Sequence, residues 1–260
     1  QDIRDEIEQK EVEAWHKLIR ILTHEIMNSI TPVSSLSETM QSMLPQNHKP
    51  IPVKDLDDDV VEDLILAVNT INKRSNGMLE FVDDYRKLTR LPAPNFELIS
   101  VNEIFNDILN LNKVELDKRK IKAEIKSNSQ HINVKCDKKL IEQIIINLFS
   151  NSFFALQNTT NPTIHLFAEA TDKRIFIHFS DNGSGIDKEK LERIFIPFYT
   201  TKQRGSGIGL SLSKNIMQMH QGTLSVSSEP DVETTFTLNF PNHAFQDSWS
   251  TNGYGIASIL

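Results

Sequence analysis

Apolar residues recur every three or four positions through the first 44 residues, at Trp15, Leu18, Leu22, Ile26, Ile30, Val33 and Leu36, with no glycine and a single proline, Pro32. That spacing predicts one long amphipathic helix. Pro45, Asn47, Pro50 and Pro52 follow between Met43 and Lys54. They cannot continue a helix and read as the turn of a hairpin. In the next segment Val61, Leu64, Val68, Ile71, Ser75, Met78, Val82 and Tyr85 alternate spacings of three and four, the period of a supercoiled seam, until Leu91, Pro92, Ala93 and Pro94 end it. Two such helices cannot fully bury a narrow seam by themselves. A homodimer closing a four-helix bundle is therefore expected, with a monomeric hairpin packed on its own second domain as the alternative.

From Asn95 the period changes. Strands are expected over 96–100, 121–126 and 132–135, and helices over 102–118 and 138–156. Thr163 to Ala170 and Arg174 to Ser180 alternate as a hairpin through Thr171, Asp172 and Lys173. A helix over about 208–219 and two strands, 223–227 and 234–240, complete an α+β sandwich, one mostly antiparallel sheet with helices on one face. The domains are thus 1–94, a helical hairpin, and 95–241, the sandwich. The tail 242–260 has no clear period and receives no function.

Composition narrows the classes. With 38% hydrophobic and 24% charged residues in 260, the chain reads as globular rather than disordered or fibrous. Apolar stretches such as Ile144 to Ile146 are far too short to cross a bilayer. The chain begins at Gln1 inside a charged helical pattern, so it is expected to be a cytoplasmic piece of a longer protein, any membrane anchor lying in the missing part. One cysteine, Cys136, excludes an internal disulfide and a Cys-based metal cluster, and is expected to be a small buried hydrophobe. The formal charge of −7 argues against a general affinity for nucleic acid. Any phosphate must be held by a local site.

Two glycine clusters stand out: Asp181, Asn182, Gly183, Ser184, Gly185, then Gly205, Ser206, Gly207, Ile208, Gly209, Leu210. Glycines let backbone amides approach a ligand, and the second cluster runs into a helix whose first amides could receive phosphate oxygens. Neither cluster has the spacing of a Walker loop or a dinucleotide fingerprint, and either one alone is compatible with an ordinary turn. Asn147 and Asn151, four apart on a helix, project from one face. Their amide oxygens are hard, neutral ligands suited to Mg²⁺ when a nucleotide supplies the negative charge; as a lone pair they could equally cap or bridge backbone.

Taken together, Asn147-Leu-Phe-Ser-Asn151, Asp181-Asn-Gly-Ser-Gly185, Phe195-Ile-Pro-Phe198-Tyr-Thr-Thr-Lys202 and Gly205-Ser-Gly-Ile-Gly209-Leu resemble the N, G1, F and G2 boxes of the ATP-binding domain of sensor histidine kinases. The resemblance covers roughly 96–241. It implies a Bergerat (GHKL) fold, shared with Hsp90, gyrase B and MutL. It implies further that Asp181 accepts the adenine amino group, that Asn147 and Asn151 hold Mg²⁺, that 187–206 closes as a lid, and that Lys202 meets the terminal phosphates of ATP. Gly183, Gly185, Thr201, Gly205, Gly207, Gly209 and Leu210 complete the implied site. Two departures lie at the rear: Gln221 replaces the second glycine of the usual His-Gly-Gly, and 231–234 lack the glycines that usually precede the last strand.

On the first helix stands His24-Glu25-Ile26-Met27-Asn28-Ser29-Ile30-Thr31-Pro32. A carboxylate next in sequence can polarise an imidazole, Asn28 lies one turn along the same face, and Pro32 should bend the helix just beyond the histidine. The segment resembles the phosphoacceptor box of histidine kinases, most closely that of nitrogen-regulation-type sensors. By that likeness His24 is phosphorylated, Glu25 is its activating base, and Asn28 orients water when the partner is dephosphorylated. Ser29 stands where that subgroup often has proline.

The resulting expectation is a homodimeric sensor histidine kinase fragment. ATP phosphorylates His24, and the receiver domain of a response regulator takes the group onto an aspartate and is in turn dephosphorylated. A chaperone or topoisomerase ATPase, or an anti-sigma-type serine kinase, would lack the helical hairpin; a pseudokinase scaffold would lack one of the four boxes.

Overall fold

A computed structural model describes residues 2–44, 57–126, 132–202 and 205–242. The expected hairpin turn falls largely on 45–56 and the tail on 243–260, outside the described residues. The chain divides into two compact units, 1–89 and 90–260.

In the first unit α1 (Asp2–Met43) packs against α2 (Asp58–Thr89). Helix α1 runs unbroken through Pro32. On α2 the residues buried within one chain are Ala67 and Leu88, while Val68 (51%), Ile65 (56%) and Leu79 (65%) stay exposed. The predicted seam residues Val61, Leu64, Ile71, Met78, Val82 and Tyr85 are half-buried, whereas Val68 and Ser75 of the same seam are exposed. Ile65, Val68 and Leu79 thus leave an apolar stripe of α2 at the surface, and Met27 and Ile30 of α1 are exposed as well. No helix among the described residues is long and apolar enough to cross a membrane.

The second unit runs β1 (Glu97–Ser100), α3 (Val101–Arg119), β2 (Lys122–Lys126), β3 (Asn133–Cys136), α4 (Lys138–Ala155), β4 (Thr163–Ala170), β5 (Arg174–Asp181), α5 (Lys188–Leu191), α6 (Gly209–Met219), β6 (Thr223–Glu229) and β7 (Glu233–Pro241). Five strands form one sheet in the order β2-β4-β5-β7-β6, antiparallel except for β2 beside β4. Where one sheet was expected, β1 and β3 form a separate antiparallel pair. It is tied down where Asp137 accepts the Asn95 N–H at 2.9 Å while also capping α4 through the Leu140 N–H.

Strict alternation along the strands sends Ile164, Leu166 and Ala168 of β4, Ile175, Ile177 and Phe179 of β5, and Phe236, Leu238 and Phe240 of β7 to the same covered face. There they meet Ile141, Ile144, Ile145, Leu148 and Phe149 of α4 and Leu212, Ile216 and Met217 of α6, all buried. His220 closes the far end of α6: Nδ1 donates to the Ile216 carbonyl at 2.7 Å and Nε2 accepts the Asp137 N–H at 3.0 Å, a pairing that requires the neutral ring. Cys136 is fully buried, and burial pushes its thiol up to about 12.

Candidate active site

The inward row of β5 does not stop at Phe179. Two residues on it places Asp181 on the covered face at the strand's end, 4% exposed, opposite Thr234 of β7. Its Oδ1 accepts the Gly183 N–H at 3.0 Å and its Oδ2 accepts from the Ser152 hydroxyl. Burial raises the carboxyl above its usual range, the two donors pull the other way, and Glu233 adds to the rise.

Asp181 forms the floor of a cavity of about 550 Å³. Asn147 and Asn151 reach one wall from α4, Gly185 another, and Thr201, Lys202, Gly205, Gly207, Gly209 and Leu210 the lid side. Thus ten of the eleven expected nucleotide-site residues border one space; Gly183 stands just behind it. A Cβ on Gly183 would lie 2.7 Å from Ala155 Cβ and 2.8 Å from Asp181 Oδ1, so this glycine lets the loop close on α4. At Gly207, φ is +70° and a Cβ would fall 2.5 Å from the Phe198 carbonyl carbon. The backbone just past the end of the lid segment therefore lies close against the backbone of Phe198 within it.

Asn147 donates from Nδ2 to the Gly209 carbonyl at 3.2 Å and to Ser213 Oγ at 3.4 Å, so the amine end of its amide is spent on α6 and the carbonyl end is the one available to a ligand. The oxygen of Asn151 faces a cation already: Lys202 Nζ donates to it at 2.7 Å and to the Ser150 carbonyl at 3.4 Å, with the Phe154 ring at 5.2 Å. Burial holds the Lys202 ammonium below its usual pKa. Flanking cations grip the aromatic residues of the lid, Arg193 over Tyr199 at 4.5 Å and Lys214 over Phe195 at 5.7 Å.

Sequence reasoning passed over Ser152 and Thr234, buried polar residues that stand beside Asp181 in contact or register. Their signal was a hydroxyl on an otherwise apolar inward row. Phe236 of β7 also lines the cavity unanticipated, beside Lys190 and Tyr199 of the expected lid segment.

In the first unit His24 is exposed on α1, and Asn28 Nδ2 lies 3.0 Å from its Nδ1 and 3.5 Å from its Nε2. An amide N–H aimed at Nδ1 pairs with the imidazole tautomer protonated at Nε2. The side chain of Glu25 lies outside the described residues.

Residues 136–244 match the model of the histidine kinase-, DNA gyrase B- and HSP90-like ATPase family. Among curated proteins the chain is similar to sporulation kinase D of Bacillus subtilis (strain 168), 29% identical over 239 residues, covering 92% of this chain and 44% of that one. The chain thus spans less than half the length of that relative. Among solved structures it is similar to the catalytic domain of histidine kinase ThkA, with 26% identity and a TM-score of 0.52 over 56% of this chain and 95% of that one. It also shares the fold of ThkA in complex with the response regulator protein TrrA, with a TM-score of 0.60 and 20% identity over 90% of this chain and 63% of that one.

Proposed function

We propose that this chain, which is similar to sensor histidine kinases and matches the histidine kinase-, DNA gyrase B- and HSP90-like ATPase family over residues 136–244, binds Mg·ATP in the Asp181 cavity and transfers the γ-phosphoryl group to His24. The single observation that carries the reading is the buried, hydrogen-bonded Asp181 at the floor of a cavity whose wall holds two amide oxygens from one helix face. An ionised carboxylate at that depth selects a donor such as a 6-amino purine. Neutral amides at the mouth suit the triphosphate end.

The donor set fits Mg²⁺. Among the described residues no cluster of three His, Cys, Asp or Glu could hold a metal by itself. A cation at Asn147 and Asn151 would therefore depend on nucleotide phosphates for its charge balance. Bound there, Mg²⁺ would neutralise phosphate charge. The chain's own contribution is positioning: Asp181 orients the base, the glycine-flanked start of α6 offers amides to phosphate oxygens, and Lys202 supplies a mobile cation.

On α1, His24 is the proposed nucleophile, Glu25 its activating base, and Asn28 the amide that orients water when a response regulator's aspartyl phosphate is hydrolysed. The relative ThkA was solved with a response regulator, which supports a receiver domain as the partner here. The exposed stripe Ile65, Val68 and Leu79 on α2 supports a homodimer that closes a four-helix bundle from residues 1–94.

The test is incubation with γ-labelled ATP and Mg²⁺, followed by acid and base treatment of the labelled protein. Label that is lost in acid, kept in base and absent from His24→Gln is expected. Acid-stable, base-labile label would point to a serine kinase instead.

A further inference from the structure

Ser152 is 1% exposed on α4, and the residues one, two and three turns before it on the same face, Leu148, Ile145 and Ile141, are apolar and buried. A serine inside a helix commonly returns its hydroxyl to the carbonyl four residues back. Here the hydroxyl instead crosses 29 residues of chain to Asp181 Oδ2. Burying an unpaired hydroxyl costs free energy, so a serine at this position makes sense only together with the carboxylate.

Asp181 has the same dependence in reverse. It is buried, another carboxylate (Glu233) bears on it, and its hydrogen-bond donors are the Gly183 N–H and the Ser152 O–H. Gly183 occupies Oδ1 and Ser152 occupies Oδ2, so the two bonds fix the rotamer and leave the remaining lone pairs for the cavity. An exocyclic amino group needs an acceptor. A protonated or rotated carboxyl would offer a donor or nothing.

Building on the assignment of this cavity to ATP, we infer that Ser152 is a positioning residue for nucleobase recognition: its hydroxyl holds the Asp181 carboxylate as a fixed, ionised acceptor and so sets the preference for a 6-amino purine. Ser152 never touches the nucleotide. It acts through Asp181, and its effect is confined to ligands that carry the amino group.

The experiment measures binding of ATP and of purine riboside triphosphate, which lacks the 6-amino group, by calorimetry on the full chain, wild type and variants. The wild type is expected to prefer ATP. In Ser152→Ala that preference falls about tenfold, the size expected for one hydrogen bond to a charged group, through loss of ATP affinity alone. Ser152→Cys keeps the packing with a weaker donor and is expected to lose preference in the same direction. An unchanged preference in either variant, or equal weakening of both ligands, overturns the role of Ser152. A wild type that binds both ligands equally, or an Asp181→Asn variant that binds ATP normally, overturns instead the underlying assignment of the cavity.

Discussion

The Lys202 ammonium rests on the amide oxygen of Asn151, 2.7 Å away, in a half-buried setting where its other acceptor is the Ser150 carbonyl. The lid's cation therefore sits on the same oxygen that would face Mg²⁺. Asn151→Asp turns this contact into an ion pair. We predict that it stabilises the nucleotide-free protein by about 1 kcal/mol after allowance for solvent screening. It should also abolish labelling from ATP, because the added charge holds Lys202 and repels the triphosphate. Thermal melting and label incorporation together check this; wild-type labelling would remove Asn151 from the site.

Asp181 predicts a pH dependence with a definite sign. Its folded pKa is raised, chiefly by burial, so protonation favours the folded, nucleotide-free protein. That contribution to stability is absent above the folded pKa and grows as the pH falls through it. Recognition of adenine runs the other way and is lost over the same window. The ratio of affinities for ATP and purine riboside triphosphate, in which phosphate protonation cancels, is expected to decline on acidification in the wild type and stay flat in Asp181→Asn. A flat wild-type ratio would contradict the assignment.

The pairing of Asn28 with His24 sharpens a test of two activities on one helical face. His24→Gln is expected to remove the label entirely. Asn28→Ala is expected to keep it, and to slow only the decay of a purified phosphorylated response regulator in the presence of ADP. Asn28 lies about 6 Å along the helix from His24, within reach of a phosphate docked opposite the imidazole. Complete loss of labelling in Asn28→Ala would assign the amide to the forward reaction.

Gln221 and Asp231 adopt φ of 53° and 60°, the left-handed region, at the rear hairpin where related boxes carry glycines. Replacing either by glycine is expected to stabilise the domain by about 0.5–1 kcal/mol, the left-handed penalty less the added freedom of the unfolded chain. Denaturant melts check this, and ATP affinity should be unchanged. Destabilised variants would show that side-chain contacts outweigh the backbone cost.

Leu79, 65% exposed in one chain, is expected to be covered in the dimer. Leu79→Glu should weaken self-association by at least about tenfold by sedimentation, with helicity retained. Undiminished association would place the dimer contact elsewhere.

Much of this protein was legible from periodicity alone. The switch from spacings of three and four to strict alternation near Asn95 marks where α2 gives way to β1, and elements such as α4 and β4 lie within a residue or two of expectation, because local hydrophobic period and chain punctuation reflect local backbone geometry. The second sheet was not legible: pairing of β1 with β3 depends on contacts between segments more than thirty residues apart, among them Asn95 with Asp137. The seam of α2 was legible over most of its length, with Val61, Leu64, Ile71, Met78, Val82 and Tyr85 half-buried, and departs near its middle, where Ala67 is buried and Val68 exposed.

The chemistry divides in the same way. Residue type and spacing singled out Asn147, Asn151 and the glycine clusters as candidates, because amides four apart on a helix and glycines in tight loops are local arrangements, while Asp181 took its expected role from the resemblance of the four boxes. Long-range folding supplies the partners: the hydroxyl of Ser152 on Asp181, the lysine of the lid on Asn151, and the α6 carbonyl that orients Asn147. Each joins elements distant in sequence, and a side chain's hydrogen-bond partner across such a distance is set by the packing of α4 and α6 on the sheet, which no local pattern encodes.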